Sequence, residues 1–136
     1  MAGIYTEFYN KYIEGIKDYC RTHERNLAFQ GEIIGQKIQK NHYDLDSRVF
    51  LLFDIFDIDK QEYLKPYDRM RISETLKISH VPVIERHYNF TTVEEEIKKA
   101  DGRSLLNQEV IREGVVFKSN DSNFSFKLVS NAYLLH

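Results

Sequence analysis

Apolar residues recur at helical spacing near the start of the chain. Ile4, Phe8, Tyr12, Ile16 and Cys20 follow one another at every fourth position, which places them on one face of a helix. The pattern predicts an amphipathic helix from about Ile4 to Cys20.

Two later runs have the composition of buried strands. The run LAFQGEIIG is apolar and partly β-branched, so it predicts a strand with a bulge or a close backbone approach at Gly31. After the polar segment QKIQKNHYDLDSR, the run VFLLFDIFDI is apolar at most positions and strongly β-forming, which predicts a central strand. We expect another buried strand around Val81–Arg86.

Turn residues predict a short strand and a second helix. Asp59-Lys60-Gln61 precedes a short strand at Glu62–Leu64. Pro66 suits the first turn of a helix that continues to about Ile78, because its fixed φ is already helical and its missing N–H is not needed there. This part of the chain therefore alternates strand and helix.

Capping and turn signals predict the last elements. Thr92 with Glu95 has the spacing of a capping box, and Gly102 is a plausible C-terminal cap, which predicts a helix at Val93–Ala100. The segments REGVVFKS and NFSFKLVS predict a hairpin with its turn around Asn120–Asn123. Together the elements predict an α+β fold of antiparallel sheets with flanking helices.

Composition narrows the class of protein. A chain of 136 residues with 42% hydrophobic residues fits a single domain, residues 1–136. A net charge of -2 excludes non-specific coating of nucleic acid, which needs many lysines and arginines. The single cysteine favours the cytoplasm or another reducing intracellular compartment. The N-terminal residues lack an apolar run, so we expect no signal peptide and no membrane partner.

Charged residues inside apolar strands are the candidate functional residues. Glu32, Asp54, Glu113 and Lys127 each interrupt or border such a strand. A charge removed from water is unfavourable unless it is paired or meets a ligand. If one face of the strands lined a cleft, these carboxylates would converge with Lys118 and Lys127. Carboxylates and lysines are what a nucleotide phosphate with its divalent cation requires.

A structural interpretation is open for each of these residues. Glu32 and Asp54 would then pair with Lys or Arg on neighbouring strands, Glu113 would lie at a sheet edge, and Lys127 would point to solvent. The histidines lack metal-ligand spacing and suit surface or structural roles; they include His42, His80 and His87.

Four strings resemble a known family when taken in order. FQGEIIGQKIQKN, FLLFDIFDI, ADGRSLLNQEVIREGVVFKS and FKLVSNAYLL resemble the ATP-dependent RNA ligases of the covalent nucleotidyltransferase superfamily, especially the branch that seals double-strand nicks and repairs tRNA or mRNA. The resemblance runs from about Leu27 onward. It implies a partial nucleotidyltransferase (ATP-grasp-like ligase) domain, with ATP or AMP and Mg²⁺ (or Mn²⁺) as cofactors and RNA ends as partners.

The resemblance implies roles on the adenosine side and on the phosphate side. Glu32 would contact the ribose hydroxyls, Phe53 would stack on adenine, and Asp54 would support that pocket.

On the phosphate side, Glu113 of the fourth motif would lie near the metal and the reacting phosphate. Lys127 of the fifth motif would bind the α-phosphate, and Lys118 would assist at the phosphates.

The chain departs from the family at the nucleophile. The first motif, Lys-x-(Asp or His)-Gly, is expected before the QGE strand, where nothing matches it. Lys99 begins a KADG string, but it follows FDI and ends a helix, so we do not expect it to be the nucleophile. Val129 replaces a second lysine that some relatives carry. We therefore expect the later part of such a domain, inactive alone, completed by an upstream segment or a second chain.

Three hypotheses follow. The chain is the nucleotide-binding portion of an enzyme that seals RNA 5′-phosphate and 3′-hydroxyl ends through a lysyl-AMP intermediate, with the lysine elsewhere. Alternatively, it is a non-catalytic adenine-nucleotide or RNA-binding module, or an interaction protein whose buried charges are structural pairs.

Overall fold

The computed structural model describes residues 2–35 and 48–135. The predicted polar connection between the first two strands, with His42, lies almost entirely outside the described residues. The helices are α1 (Ala2–His23), α2 (Pro66–Leu76), α3 (Val93–Ala100) and α4 (Asn131–Leu134), and the strands are β1 (Leu27–Ile34), β2 (Val49–Asp57), β3 (Glu62–Tyr63), β4 (Gly114–Lys118) and β5 (Ser125–Val129). The predicted α+β class is confirmed.

The chain divides into two compact units, and the first contains α1, α2 and β1 to β3. Its sheet has the order β1-β2-β3, and β2 pairs antiparallel with β3. The predicted central position of β2 is therefore confirmed. Apolar side chains from strands, helices and the segment after α2 form the core, namely Leu27, Leu52, Ile55, Ile72 and Ile78.

Gly31 lies where the backbone of β1 meets a bulky side chain of β2. A Cβ built on Gly31 would overlap the ring of Phe50 and lie 2.5 Å from the carbonyl oxygen of Leu51. Any side chain here would push β1 away from β2. The predicted close approach at this glycine is confirmed.

The predicted strand around Val81–Arg86 is wrong. His80 forms a single parallel bridge with Leu52, and the Val81 N–H donates to the Leu52 carbonyl at 2.9 Å. No further bridge to β2 follows Val81 in the part of the chain that the structure describes. Val83 is 40% and Ile84 59% exposed, so two of the apolar residues that suggested a buried strand lie at the surface.

The second unit contains α3, α4 and the β4–β5 hairpin. The hairpin is antiparallel and closes through the Ser119 N–H, which donates to the Phe124 carbonyl at 3.0 Å. Both predicted arms and the turn between them are confirmed. Whether the two units constitute the single predicted domain stays a prediction.

Helix α3 has the predicted bounds and start. The Thr92 hydroxyl accepts a hydrogen bond from the Glu95 N–H at 3.2 Å, as the capping box requires. Its N-terminus is therefore fixed by local sequence.

The end of α3 differs from prediction, since Asp101, and not Gly102, is the capping residue. The Arg112 guanidinium donates to the carbonyl oxygens of Ala100 at 2.9 Å and Asp101 at 3.1 Å. A Cβ at Gly102, where φ is +153°, would lie 3.1 Å from Arg112 Cζ. Glycine is favoured here because L side chains rarely adopt this φ, and the Arg112 side chain also packs against the position.

Candidate functional site

The three residues predicted for the adenosine side lie on adjacent strands of the first unit. Glu32 in β1 is exposed, whereas Phe53 and Asp54 in β2 are half-buried. Consecutive residues of a strand point to opposite faces. Phe53 and Asp54 therefore lie on opposite sides of the sheet, and only one can face a ligand directly.

Asp54 pairs with a buried arginine of α2. Its Oδ1 lies 3.8 Å from Nη1 of Arg69. Burial lowers the pKa of Arg69, and the charge of Asp54 opposes that shift. Asp54 thus has an arginine partner, as the ion-pair interpretation expected, but the partner lies on α2 and not on a neighbouring strand.

The other side of Arg69 is held by a histidine. Its Nε donates to His80 Nε2 at 2.9 Å, and His80 Nδ1 lies 2.6 Å from the Val81 carbonyl oxygen. Since Nε2 accepts from the guanidinium, Nδ1 carries the proton and donates to the carbonyl. His80 therefore has a structural role, as one of the interpretations above expected.

The three residues predicted for the phosphate side lie on the hairpin of the second unit. Glu113 immediately precedes β4, Lys118 ends it, and Lys127 lies within β5. Lys127 pairs across the strands with Val116, and Lys118 with Ser125. Cross-strand partners share a face, so the two lysines are diagonal neighbours on one face, about 7–8 Å apart at the backbone.

The opposite face of the hairpin is apolar. The rings of Phe117 and Phe126 stack with centroids 5.0 Å apart, and Phe90 contacts both edge-on at 5.5 and 5.6 Å. This face packs within the unit, since α3 contacts β5. Lys127 and its neighbour Val116 are left exposed on the other face.

Glu113 is held by the segment that follows β5. The N–H of buried Ser130 donates to the Glu113 carbonyl at 2.7 Å. The Tyr133 hydroxyl makes a hydrogen bond to the Glu113 carboxylate, which raises the pKa of Tyr133. Sequence reasoning missed α4 and both residues. The available signal was serine before Asn-Ala-Tyr-Leu, because serine is a preferred helix N-cap.

Lys99 is engaged in a structural cluster of α3. Its Nζ donates to the Tyr88 hydroxyl at 2.9 Å and lies 4.0 Å from the Glu96 carboxylate. The hydrogen bond to Tyr88 is the main reason that the pKa of Lys99 is raised. The ammonium form is therefore favoured, whereas a nucleophile must be the free amine.

The Glu96 carboxylate at the centre of this cluster is buried. It accepts hydrogen bonds from the Tyr88 hydroxyl at 2.8 Å and the Thr91 hydroxyl at 2.7 Å. Burial alone would raise its pKa, but the hydrogen bonds from Thr91 and Tyr88 outweigh burial, and the pKa of Glu96 is lowered.

The predicted residues thus form two groups, one in each unit. Glu32, Phe53 and Asp54 belong to the first, and Glu113, Lys118 and Lys127 to the second. Their convergence on one cleft stays a prediction.

The described residues include neither a self-contained metal site nor a membrane-spanning helix. In residues 2–35 and 48–135, no group of three or more histidine, cysteine or acidic side chains could hold a metal ion by itself. No helix in the described ranges is long and apolar enough to span a bilayer.

Comparison with known proteins identifies the family. The model of the RNA ligase family matches residues 4–129, which is most of the chain. The chain belongs to the RNA ligase family. No curated protein sequence matches it.

Solved structures of an RNA ligase are similar to this family member. Naegleria gruberi RNA ligase with PPi is 44% identical and has a TM-score of 0.79. A mutant of the same enzyme with AMP and Mn is 44% identical, with a TM-score of 0.78. In both, the match covers 89% of this chain and 37% of the other, so the chain spans little more than a third of that enzyme's length.

Proposed function

We propose that this family member is the nucleotide-binding portion of an RNA ligase that joins RNA 5′-phosphate and 3′-hydroxyl ends through a lysyl-AMP intermediate. The observation that carries the proposal is the hairpin, which begins at Glu113 and presents Lys118 and Lys127 on one face. The similar Naegleria structures contain ATP or AMP with Mn, which supports a nucleotide and a divalent cation as ligands.

The two lysines would bind the phosphates of the nucleotide. Lys127 would contact the α-phosphate, where negative charge increases as the phosphoryl group is transferred, and Lys118 would assist from the same face. Cationic groups fixed before the reaction stabilise such charge without having to reorganise. The β-hairpin provides this fixed spacing because the register sets both backbone positions.

Glu113 fits a divalent cation that is bound together with a nucleotide. Mg²⁺ is commonly held by one or two carboxylates plus substrate phosphates. Glu113 offers oxygen ligands of this kind, and a three-residue protein cage is not required. Mg²⁺ or Mn²⁺ bound there would neutralise charge on the reacting phosphate.

The first unit would bind the adenosine. Exposed Glu32 would accept hydrogen bonds from the ribose hydroxyls, and Phe53 would stack on the adenine. Asp54 would act indirectly, because its pairing with Arg69 holds β2 against α2.

The nucleophilic lysine would come from outside these residues, as an upstream segment or a second chain. Lys99, the lysine of the KADG string, is unsuited because its ammonium is held by Tyr88 and lies near Glu96. RNA ends would be the macromolecular substrate. The single cysteine suits a reducing intracellular compartment.

Calorimetric titration of the chain with ATP in the presence of Mn²⁺ tests the proposal. We expect saturable binding that weakens about tenfold or more in Lys127→Ala, because a charge-assisted hydrogen bond to phosphate is lost. Lys98→Ala is the matched control, since Lys98 is an exposed lysine of the same unit with 77% of its side chain accessible. Equal affinities of the two variants, or no ATP binding by the unaltered chain, would contradict the proposal.

A second candidate is a nucleotide-binding module without chemistry, which the engaged state of Lys99 favours. Incubation with α-³²P-labelled ATP and Mn²⁺, together with a peptide carrying a Lys-x-Asp-Gly segment, separates the two candidates. Label transferred to the peptide supports the ligase portion, whereas binding of ATP without transfer supports the module. If the chain itself becomes labelled and Lys99→Ala abolishes that label, Lys99 is the nucleophile. This result would contradict both candidates.

A further inference from the structure

A hydrogen-bonded network joins the residues after β5 to Glu113. The Ser130 N–H donates to the Glu113 carbonyl oxygen at 2.7 Å. The Ser130 hydroxyl donates to Asp101 Oδ1 at 2.6 Å, and Ser130 is fully buried. The backbone of Glu113 is therefore fixed to Ser130, and Ser130 is fixed to the end of α3.

The same carboxylate fixes the start of α4. Asp101 Oδ1 also accepts from the Ala132 N–H at 3.1 Å, while the Tyr133 N–H donates to Ser130 Oγ at 3.2 Å. These bonds satisfy N–H groups at the first turn of α4, which have no partner within the helix. The backbone of Tyr133 is thus held by side chains that are themselves anchored.

Tyr133 returns to Glu113 through its side chain. Its hydroxyl makes a hydrogen bond to the Glu113 carboxylate, so Glu113 is contacted at the carbonyl by Ser130 and at the carboxylate by Tyr133. A carboxylate has about four lone-pair positions on two oxygens. A carboxylate that accepts a hydrogen bond from a tyrosine can therefore also serve as a ligand of a cation.

We infer that Tyr133 is a positioning residue, which orients the Glu113 carboxylate toward the divalent cation of a bound nucleotide. This inference rests on the proposed nucleotide site. The tyrosine touches neither nucleotide nor metal in this arrangement, and it acts through Glu113. Its removal should weaken metal-dependent binding and leave the metal-independent part unchanged.

The experiment compares ATP affinity of the full chain by calorimetry with Mn²⁺ and with EDTA. Tyr133→Phe removes one oxygen atom and should weaken ATP binding in Mn²⁺ by about tenfold, as expected for a hydrogen bond to a charged group. Binding in EDTA should not change. Tyr67→Phe is the matched control, because Tyr67 is 78% exposed on α2.

A double-mutant cycle with Glu113→Gln decides whether Tyr133 acts through Glu113. If it does, Tyr133→Phe has no further effect on ATP affinity once Glu113 is replaced. The coupling free energy between the two residues then equals the loss of binding free energy in Tyr133→Phe alone. The cycle remains valid if Tyr133→Phe lowers the unfolding midpoint, because a general folding loss is present in both backgrounds.

The outcomes are distinct. Coupled losses confined to Mn²⁺ support the inference. Additive losses, an equal loss in EDTA, or unchanged affinity overturn it while the unaltered chain still binds ATP. No ATP binding by the unaltered chain overturns the proposed function and this inference with it.

Discussion

The two units differ in what occupies their interiors. The largest fully buried side chains of the first unit are Leu52, Ile55 and Ile72, whereas those of the second are Glu96 and Ser130. In the second unit the large aromatic rings are only partly covered, and Phe124 is 66% exposed. Among the described residues, the fully buried side chains are thus mainly aliphatic in the first unit and polar in the second.

The difference shows how each interior can position a functional group. Aliphatic packing is non-directional, so it fixes the distance between sheet and helix without fixing an individual polar atom. Buried hydrogen bonds have preferred lengths and angles. The network of Asp101, Ser130 and Tyr133 can therefore orient one carboxylate, Glu113, in a unit whose described residues include few buried apolar side chains.

The largest expected effect tests the aliphatic interior. Ile55→Ala should lower the free energy of unfolding by about 3 kcal/mol, because it leaves a cavity beside Leu52 and Ile72. Urea denaturation followed by circular dichroism measures the change. Ile58→Ala, at a site that is 46% exposed, is the matched control and should change stability by less than about 1 kcal/mol. Similar losses in both variants would contradict the contrast between the units.

A smaller effect is expected for the buried hydrogen bonds. Ser130→Ala should lower the free energy of unfolding by about 1–2 kcal/mol, because it removes the donor to Asp101 and the N-cap of α4. The same denaturation series measures it, with Ser125→Ala on the exposed face of β5 as control. A loss as large as that of Ile55→Ala would contradict the smaller contribution expected of a buried hydrogen bond.

The smallest effect is a pH dependence of the second unit. Burial by itself would raise the pKa of Glu96, but the hydrogen bonds from Thr91 and Tyr88 have the larger effect, so its pKa is lowered. The hydrogen bond from Ser130 lowers the pKa of Asp101. A carboxyl whose pKa is lowered by folding stabilises the protein above its ordinary value, here near 4.5 for Glu96 and 3.8 for Asp101. That stability is lost as the pH falls through the lowered, folded-state values.

The effect of salt on this pH dependence should also differ between the two units. Asp68 of the first unit also has a lowered pKa, where burial is outweighed by hydrogen bonds from Arg25 and Arg71. Its partners are charged and partly exposed, so added salt should screen its contribution. The main donors to Glu96 are neutral and are not screened, and only the smaller effect of Lys99 at 4.0 Å is. Amide NMR spectra through an acid titration, at low and high salt, follow each unit separately. Equal salt sensitivity in both units would contradict this assignment.

Local sequence was sufficient for most elements. The apolar periodicity of α1, the apolar run of β2, the Pro66 start of α2 and the capping box of α3 each depend on residues within a few positions of one another. Such signals can be read from the sequence because they do not depend on tertiary contacts. The close approach at Gly31 was also readable, because glycine within an apolar strand is unusual unless a neighbour needs the space.

Tertiary structure decided what depends on distant partners. Val81–Arg86 has strand-like residues, but a strand needs a neighbour with free N–H and C=O groups, and only the bridge between His80 and Leu52 supplied one. Likewise, the charge of Asp54 was visible in sequence, whereas its partner Arg69 was not.

The candidate site divides in the same way. The order of motifs in the sequence predicted Glu113, Lys118 and Lys127 as site residues. The register of the hairpin then determined that the two lysines lie on one face. The link from Tyr133 to Glu113 could not be predicted, because it requires α4 to fold back beside the start of β4. The sequence determines which charged residues lie in which strand. Hydrogen bonds between strands and helices form only when tertiary folding brings residues distant in the chain together.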